Sequence, residues 1–421
     1  MPGAPNVLEL VHRSCAEVAA LHAEHVRIDE GAVAALAREL VAAAEDVRGS
    51  VRGLLLPIKF SSLEQELTLL TLYHLLDFGS GFDPLLRRQG KEGAREALMF
   101  GLMGMHLAGT RLDAHKLKSF TMYDIHQVFG IDATVEVPVM PGVTMSKPGP
   151  LQPYCKLLLA ALTETGQVLS DSGVRTPGEL VLGIAEGLHK AGRCSASAFV
   201  EELVDTVPAF RDSVLYDGST LTLHRRAQNL AADLAAVYGG RDERLAFPDL
   251  DRLAADSGAT TIAVLRSKGA LVLSEELAAT IDGRKELPAG PHERALRAAA
   301  VAAVDRVVAA AAAGGAAGGG ADPAAAATTA TAETESEAAT RGGEPAEGSR
   351  GEAASSAAGV AAAGAGGVTG GERHEGTSGG SGGGLVLRAV DVGAYLAFLT
   401  EEGRELHGKV TPHLTPGLMA Y

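Results

Sequence analysis

The chain has 421 residues with 37 basic against 52 acidic side chains, a formal net charge of -15. That excess of acid argues against a basic face that grips duplex DNA or RNA through its phosphates, while one or two arginines still suffice for the single phosphate of a small nucleotide. Hydrophobic residues make up 46%, enough for a sizeable core, but aromatic residues only 4% and Trp is absent, so alanine-rich helix faces must pack closely.

Cys15, Cys155 and Cys194 are too scattered for a disulfide framework or a metal site, and read as reduced thiols of a cytosol-like compartment. The first residues, MPGAPNVLELVHRSCAEV, hold neither a long apolar run nor an A-x-A cleavage pattern. No window approaches the roughly 18–20 uninterrupted apolar residues of a membrane span. A soluble cytoplasmic protein without membrane contact is expected.

Taken in order, residues 7–50 predict two helices. Val33, Leu36, Leu40, Val41, Ala44 and Val47 recur at helical spacing, and Asp29 and Glu30 sit where acids suit a helix start. Residues 62–77 predict a helix apolar on most of its circumference, hence deeply buried, running into the DFGSGF turn of Asp77 to Phe82. Residues 93–129 predict helix with a loop near Gly109. Residues 134–148 alternate Val135, Val137 and Val139 before Pro and Gly, as an extended strand or an ordered loop does. Helix resumes over 150–170. Phe199, Leu203 and Val207 share a face of a helix that Pro208 ends. Asp217-Gly218 within SVLYDGSTLTL is a hairpin signal. A helix over 226–237 follows, then an acidic loop around Asp249 and Asp251, a short helix at 277–281 behind Ser274, and a helical pattern through Leu296, Ala300, Val304 and Val307. From 312 to 384 large apolar residues almost vanish, so the stretch cannot repay its ordering entropy and is expected to be a disordered insertion. LVLRAVDVGAYLAFL then restores an apolar pattern. The expected organisation is one mainly α domain, residues 7–311 and 385–421, interrupted by the 312–384 insertion.

Chemistry is sparse. Asp77-Phe78-Gly79 matches the kinase triplet without any companion motif, and reads as a glycine turn after a buried helix. His22 with His25, and His74 with Asp77, lack a third ligand, so no metal is expected. There is no G-x-S-x-G elbow. Arg225 and Arg226 beside the hairpin are either the holders of one phosphate or a pair of surface cations. Asp249, Asp251 and Asp256 either supply a carboxylate that stabilises a sugar cation or form a solvated loop.

The order of segments resembles the queuosine salvage protein family. That family's F-P-x-[YF]-R-D-x-x-x-[FY]-[DE]-G, basic pair and A-x-x-L correspond here to VPAFRDSVLYDG, 207–218, and HRRAQNLAADL, 224–234. LTETGQVL, LLDFGSGF, RIDEGAVAALA, GALVLSEEL and HLTPGLMAY also fit, and DFGSGF with VPVMPGV looks like the branch found in fungi and algae. The resemblance implies a single helical domain related in architecture to helical DNA glycosylases. It implies a cofactor-free hydrolase, an N-glycosidase that splits queuosine 5'-phosphate and releases queuine for tRNA modification, with a small nucleotide and no nucleic acid polymer as its partner. Such chemistry passes through an oxocarbenium-like state that a carboxylate stabilises, while aromatic rings stack on the base and cations hold the phosphate. By resemblance the substrate-binding residues are Asp77 and Phe78 in the family's L-[ND]-F segment, Arg225 where relatives have Lys, Asp391 in the D-x-x-L-W motif, and Tyr395 at that motif's Trp. The chain departs at the catalytic carboxylate. Counted back from Gly269 without a gap, the family's acid falls on Gly258, so the catalytic role passes to Asp256 from a shifted loop or is lost. The alternatives are an impaired relative that binds a base or nucleotide, and an all-helical interaction protein. A working pocket requires Asp77, Phe78, Arg225 and Asp391 to converge on one cavity.

Overall fold

A computed structural model describes residues 6–50, 53–54, 56–216, 219–318 and 387–416. In chain order the elements are α1 (Val7–Leu21), β1 (Val26–Ile28), α2 (Glu30–Ala42), α3 (Ala44–Ser50), α4 (Leu63–Leu76), α5 (Asp83–Arg88), α6 (Ala94–Leu107), α7 (Ala114–Lys118), α8 (Met122–Phe129), β2 (Thr134–Met140), β3 (Val143–Pro148), α9 (Gln152–Asp171), α10 (Pro177–Lys190), α11 (Ala196–Thr206), β4 (Ser213–Tyr216), β5 (Ser219–Thr222), α12 (Arg225–Tyr238), α13 (Ala259–Ser267), β6 (Leu271–Leu273), α14 (Glu275–Asp282), α15 (Pro291–Gly318) and α16 (Ala389–Phe398). The fold is mainly α, as its periodicities predict.

Local chemistry sets many of these boundaries. Asp29 caps α2 by accepting from the Ala32 N–H, and Ser62 caps α4 by accepting from Gln65. Every residue of α4 from Leu67 to Leu76 is buried, which is what an all-round apolar helix demands. The strands pair as three antiparallel two-stranded ribbons, β1 with β6, β2 with β3 and β4 with β5. The last carries the predicted hairpin, whose turn residues Asp217 and Gly218 lie outside the described residues. In β2–β3 the register shifts between Pro138 and Met140, so that Met140 pairs with Val143. That bulge keeps Met140 in phase with Val135, Val137 and Met145.

Two hydrophobic cores matter for the site. One is built around α4, α6 and α9–α12, and the other around α2, α13, α14, α15 and α16. The segment before α13 crosses between them: Leu253 belongs to the first core and Ala255 to the second. Residues close to that crossing are therefore held from both sides.

Sequence periodicity missed several features, among them the break that gives three helices, α1, α2 and α3, over the stretch where two were expected. The β1–β6 ribbon has three residues a strand, too short to show an alternation. Helices α10 and α13 were not anticipated. Helix α15 continues to Gly318, past the expected boundary at 312: Ala312 and Ala313 extend a helix already nucleated upstream, and the turn beyond them runs through Gly314, Gly315 and Gly318 against their low propensity. The disorder expected up to residue 384 otherwise falls outside the described residues, as do residues 417–421 of the HLTPGLMAY match.

Candidate active site

Asp77 is delivered to the site by the end of α4. It is the C-cap of that helix, and the chain must turn sharply after Phe78. Gly79 makes the turn at φ +98, and a Cβ there would lie 2.2 Å from the Tyr154 ring, so both backbone and packing require glycine. Arg225 opens α12, preceded by His224 at φ 47. Its Nη1 donates to Asp77 Oδ2 at 3.0 Å and to Asp256 Oδ1 at 3.4 Å, and its Nη2 donates to the Asp77 carbonyl.

The same face of α12 continues at i+4 and i+8. Asn229 Nδ2 donates to Asp256 Oδ2 at 3.4 Å, and Asp233 Oδ2 lies 2.8 Å from His74 Nε2. Helix α6 adds Arg95, which donates from Nε and Nη2 to the two oxygens of Asp77 at 2.9 and 3.2 Å, its Nη2 lying 3.9 Å from Asp256 Oδ2. Asp256 Oδ1 also accepts the Gly258 N–H at 2.8 Å, at the start of α13.

Two carboxylates and two guanidiniums thus share one centre. Asp77 and Arg225 are buried, whereas the Arg95 side chain is 60% exposed and that of Asp256 24%. Burial of Asp77 works against its anion, but the Arg95 and Arg225 charges outweigh it and hold the carboxyl well below the usual range. Burial likewise opposes the charge of Arg225, and Asp256 and Asp77 more than offset it.

This centre is the wall between two cavities of about 290 Å³ each. The front cavity is lined by Phe78, Asp83, Arg225, Gly258 and Thr260 among others, and the rear by Tyr73, His74, Asn229, Asp233 and Gly393. Asp77, Arg95, Asp256 and Ala397 line both. A partly exposed carboxylate between two open volumes is suited to stabilise a positive charge developing beside it.

The structure brings together Asp77, Phe78, Arg225 and Asp256, and separates Asp391 and Tyr395 from them. Asp391 forms a forked ion pair with Arg388, both contacts at 2.7 Å, and lines a further cavity with Arg48 and Leu250. Tyr395 is buried in the second core, 6.1 Å from the Phe398 ring. On α16 it is Val390, Gly393, Ala394 and Ala397 that meet the rear cavity. Phe78 lines the front cavity but is 2% exposed. Its ring packs edge-on to Tyr154 at 6.0 Å with the Arg226 guanidinium 5.4 Å from its centroid, which leaves no open ring face for a base.

The basic pair is neither surface cations nor a joint phosphate clamp. Both arginines are buried, and Arg226 donates to the carbonyls of Leu75 and Ala209, locking the end of α4. Of the three candidate acids, Asp249 caps α11 through the N–H groups of Ala196 and Ser197, and Asp251 is exposed in a 3-10 turn. Asp256 alone among them reaches the site.

Sequence reasoning missed Arg95 and Asn229. Asn229 was findable from its i+4 spacing to Arg225, whereas nothing in KEGAREAL distinguishes Arg95 from any surface arginine. Among the described residues no group of three or more His, Cys, Asp or Glu is placed to hold a metal ion, and no helix is long and apolar enough to cross a membrane.

Comparison with known proteins bears on the same segments. The family model for queuosine salvage protein matches residues 104–318, which include Arg225, Asn229 and Asp256. A queuosine 5'-phosphate N-glycosylase/hydrolase of Sphaerobacter thermophilus is 35% identical over 147 residues, 35% of this chain and 43% of that protein. A protein of the same name from Dictyostelium discoideum is 29% identical over 139 residues, 32% of this chain and 43% of the relative. The match spans under half the length of either relative. With more than half of its residues matched by that model, the chain belongs to the queuosine salvage protein family.

Proposed function

We propose that this chain hydrolyses the N-glycosidic bond of queuosine 5'-phosphate, with Asp256 as the catalytic carboxylate. The observation that carries the reading is the position of Asp256 on the wall common to both cavities. In this reading the scissile bond of the nucleotide is held beside that carboxylate. Gly258, where an ungapped count places the family's acid, supports the same assignment. A Cβ at 258 would lie 3.0 Å from Asp256 Oδ1, so the carboxylate from 256 folds back over the place an acid at 258 would start from.

In the proposed reaction the bond from C1' to the base nitrogen breaks and its electron pair leaves with the base. Positive charge grows on C1' and the ring oxygen, and the Asp256 anion stabilises it. Water adds its oxygen to C1', and one of its protons passes to Asp256. The leaving base takes up a proton from solvent and departs as queuine, and Asp256 returns the proton it took from water to solvent. Arg225 has Nη1 turned to Asp77 and Asp256 and Nη2 to the Asp77 carbonyl, so it serves to orient carboxylates in this scheme. No cofactor enters it.

Incubation with queuosine 5'-monophosphate and an assay for free queuine test the proposal, with Asp256→Asn as the control. Release by the wild type and its loss in D256N is the expected result. Absence of release at high enzyme concentration rejects the glycosidase assignment, and calorimetric binding of the nucleotide without turnover would then identify an impaired, ligand-binding relative. Of the four residues required to converge, Asp77, Phe78 and Arg225 line one cavity with Asp256 while Asp391 lines another, and the three that meet disfavour a pure interaction protein.

A further inference from the structure

The proposed mechanism depends on the negative charge of Asp256, which already accepts the Gly258 N–H at 2.8 Å and Asn229 at 3.4 Å, and two arginines stand beside it. Their distances differ in an ordered way. Arg95 lies 2.9 and 3.2 Å from the Asp77 oxygens and 3.9 Å from Asp256, while Arg225 Nη1 lies 3.0 Å from Asp77 and 3.4 Å from Asp256. Both guanidiniums therefore make their shorter contacts to the buried acid and their longer ones to the acid on the cavity wall. Asp77 has both oxygens and its carbonyl engaged by these two side chains, so it is poorly placed to act on a substrate itself.

We infer that Asp77 is a positioning residue that holds Arg95 off Asp256 and draws Arg225 closer to itself than to Asp256, so that the Asp256 carboxylate keeps more of its charge for a developing sugar cation. The inference rests on the glycosidase reading and assigns Asp77 a role other than substrate binding. Its physical basis is competition between two carboxylates for the same cations. A guanidinium closing on Asp256 to full hydrogen-bonding distance would neutralise the charge that stabilises the transition state. Arg95 has the freedom to do so, since its side chain is 60% exposed.

The test is a double-mutant cycle on kcat and KM for queuosine 5'-monophosphate, using the full chain. Asp77→Asn is expected to lower kcat about 10- to 100-fold, the range for one charge-assisted hydrogen bond, with KM moving less than about threefold. Arg95→Met is expected to raise kcat in both backgrounds, by up to about fivefold in the D77N background, the ceiling for an exposed pair, and by less in the wild type. That unequal recovery is the signature, because a merely structural Asp77 gains nothing from losing Arg95. Equal effects in the two backgrounds, or a fall in kcat on R95M, overturn the inference. If D77N fails to fold, R95M in the wild-type background decides: a rise supports the inference and a fall overturns it. The wild type and D256N separate the levels. Absence of queuine release by the wild type defeats the glycosidase reading, retained release in D256N defeats the assignment of Asp256, and an inactive D256N with an additive D77N–R95M cycle defeats only the role given to Asp77.

Discussion

Replacing Arg226 with Met tests whether the end of α4 is held by a buried cation or in spite of one. Arg226 is 1% exposed, its two terminal nitrogens donate to the carbonyls of Leu75 and Ala209, and its guanidinium lies over the Phe78 ring. Leu75 is two residues before Asp77, so this bond fixes the backbone from which the site acid projects. Losing the donors strands two buried carbonyls at about 1–3 kcal/mol each, and the cation–π contact adds about 0.5–2 kcal/mol. Against this, burial pushes the Arg226 pKa down to about 10 from the ordinary 12.5. At about 1.4 kcal/mol per unit, a methionine is relieved of roughly 3 kcal/mol of charge burial. The net expectation is a loss of about 2 kcal/mol, a large share of a typical stability of about 5–15 kcal/mol. Urea unfolding, extrapolated linearly to water, measures it. Arg226→Lys is expected to be the worse variant, because it keeps the buried charge and gives up the fork that satisfies both carbonyls. Unchanged or increased stability in R226M would refute the reasoning and show that desolvation outweighs the hydrogen bonds, as it does for some buried ion pairs.

Further outcomes follow from the same geometry. Asp249→Ala should cost about 0.5–2 kcal/mol through the lost cap of α11 while leaving kcat within about twofold of wild type, in contrast to D256N; a large loss of kcat in D249A would show that the wrong acid was assigned to the site. Gly79→Ala should lower the melting temperature and activity together, since the new methyl meets Tyr154 and forces a backbone conformation that costs about 1–2 kcal/mol for an L-residue; a wild-type melting curve would refute this. Acid should destabilise the fold in two stages. His224 and His413 are pushed down by burial, His413 to about 3, so the unfolded chain binds protons that the folded one refuses, and stability falls as pH drops below about 6.5. Asp77 and Asp212 are held low by arginines despite burial, so their contribution is present above the usual carboxylate range and is lost as pH falls toward their folded values. His413→Gln should flatten the first stage in pH-dependent urea midpoints, and an unaltered profile would exclude His413 as a source of it.

Much of the fold was legible because periodicity acts locally. The all-round apolar stretch of α4 could only be a buried helix, and Asp29 announced the helix start it caps. The site was legible in part. Asp77, Phe78, Arg225 and Asp256 came from short motifs whose order along the chain is specific, and they meet at one cavity. Asp391 and Tyr395 lie away from that cavity because a motif names a helix without fixing its rotation, and the face of α16 toward the rear cavity is made of small residues that carry no chemical signal.

By itself the sequence determined where most of the helices lie, which turn needs glycine, and which short motifs carry the candidate site residues. Tertiary structure alone decided how those charges are shared. Whether an arginine is a surface cation, a helix lock or a partner for a catalytic acid depends on which carbonyls and carboxylates lie within about 3 Å, and those partners come from elements far apart in the chain. Arg225 and Arg226 are neighbours in sequence, yet one serves Asp77 and Asp256 while the other serves Leu75 and Ala209. Asp249 and Asp256 looked equivalent in one acidic loop, and the crossing between two cores placed only Asp256 where a cavity opens on either side.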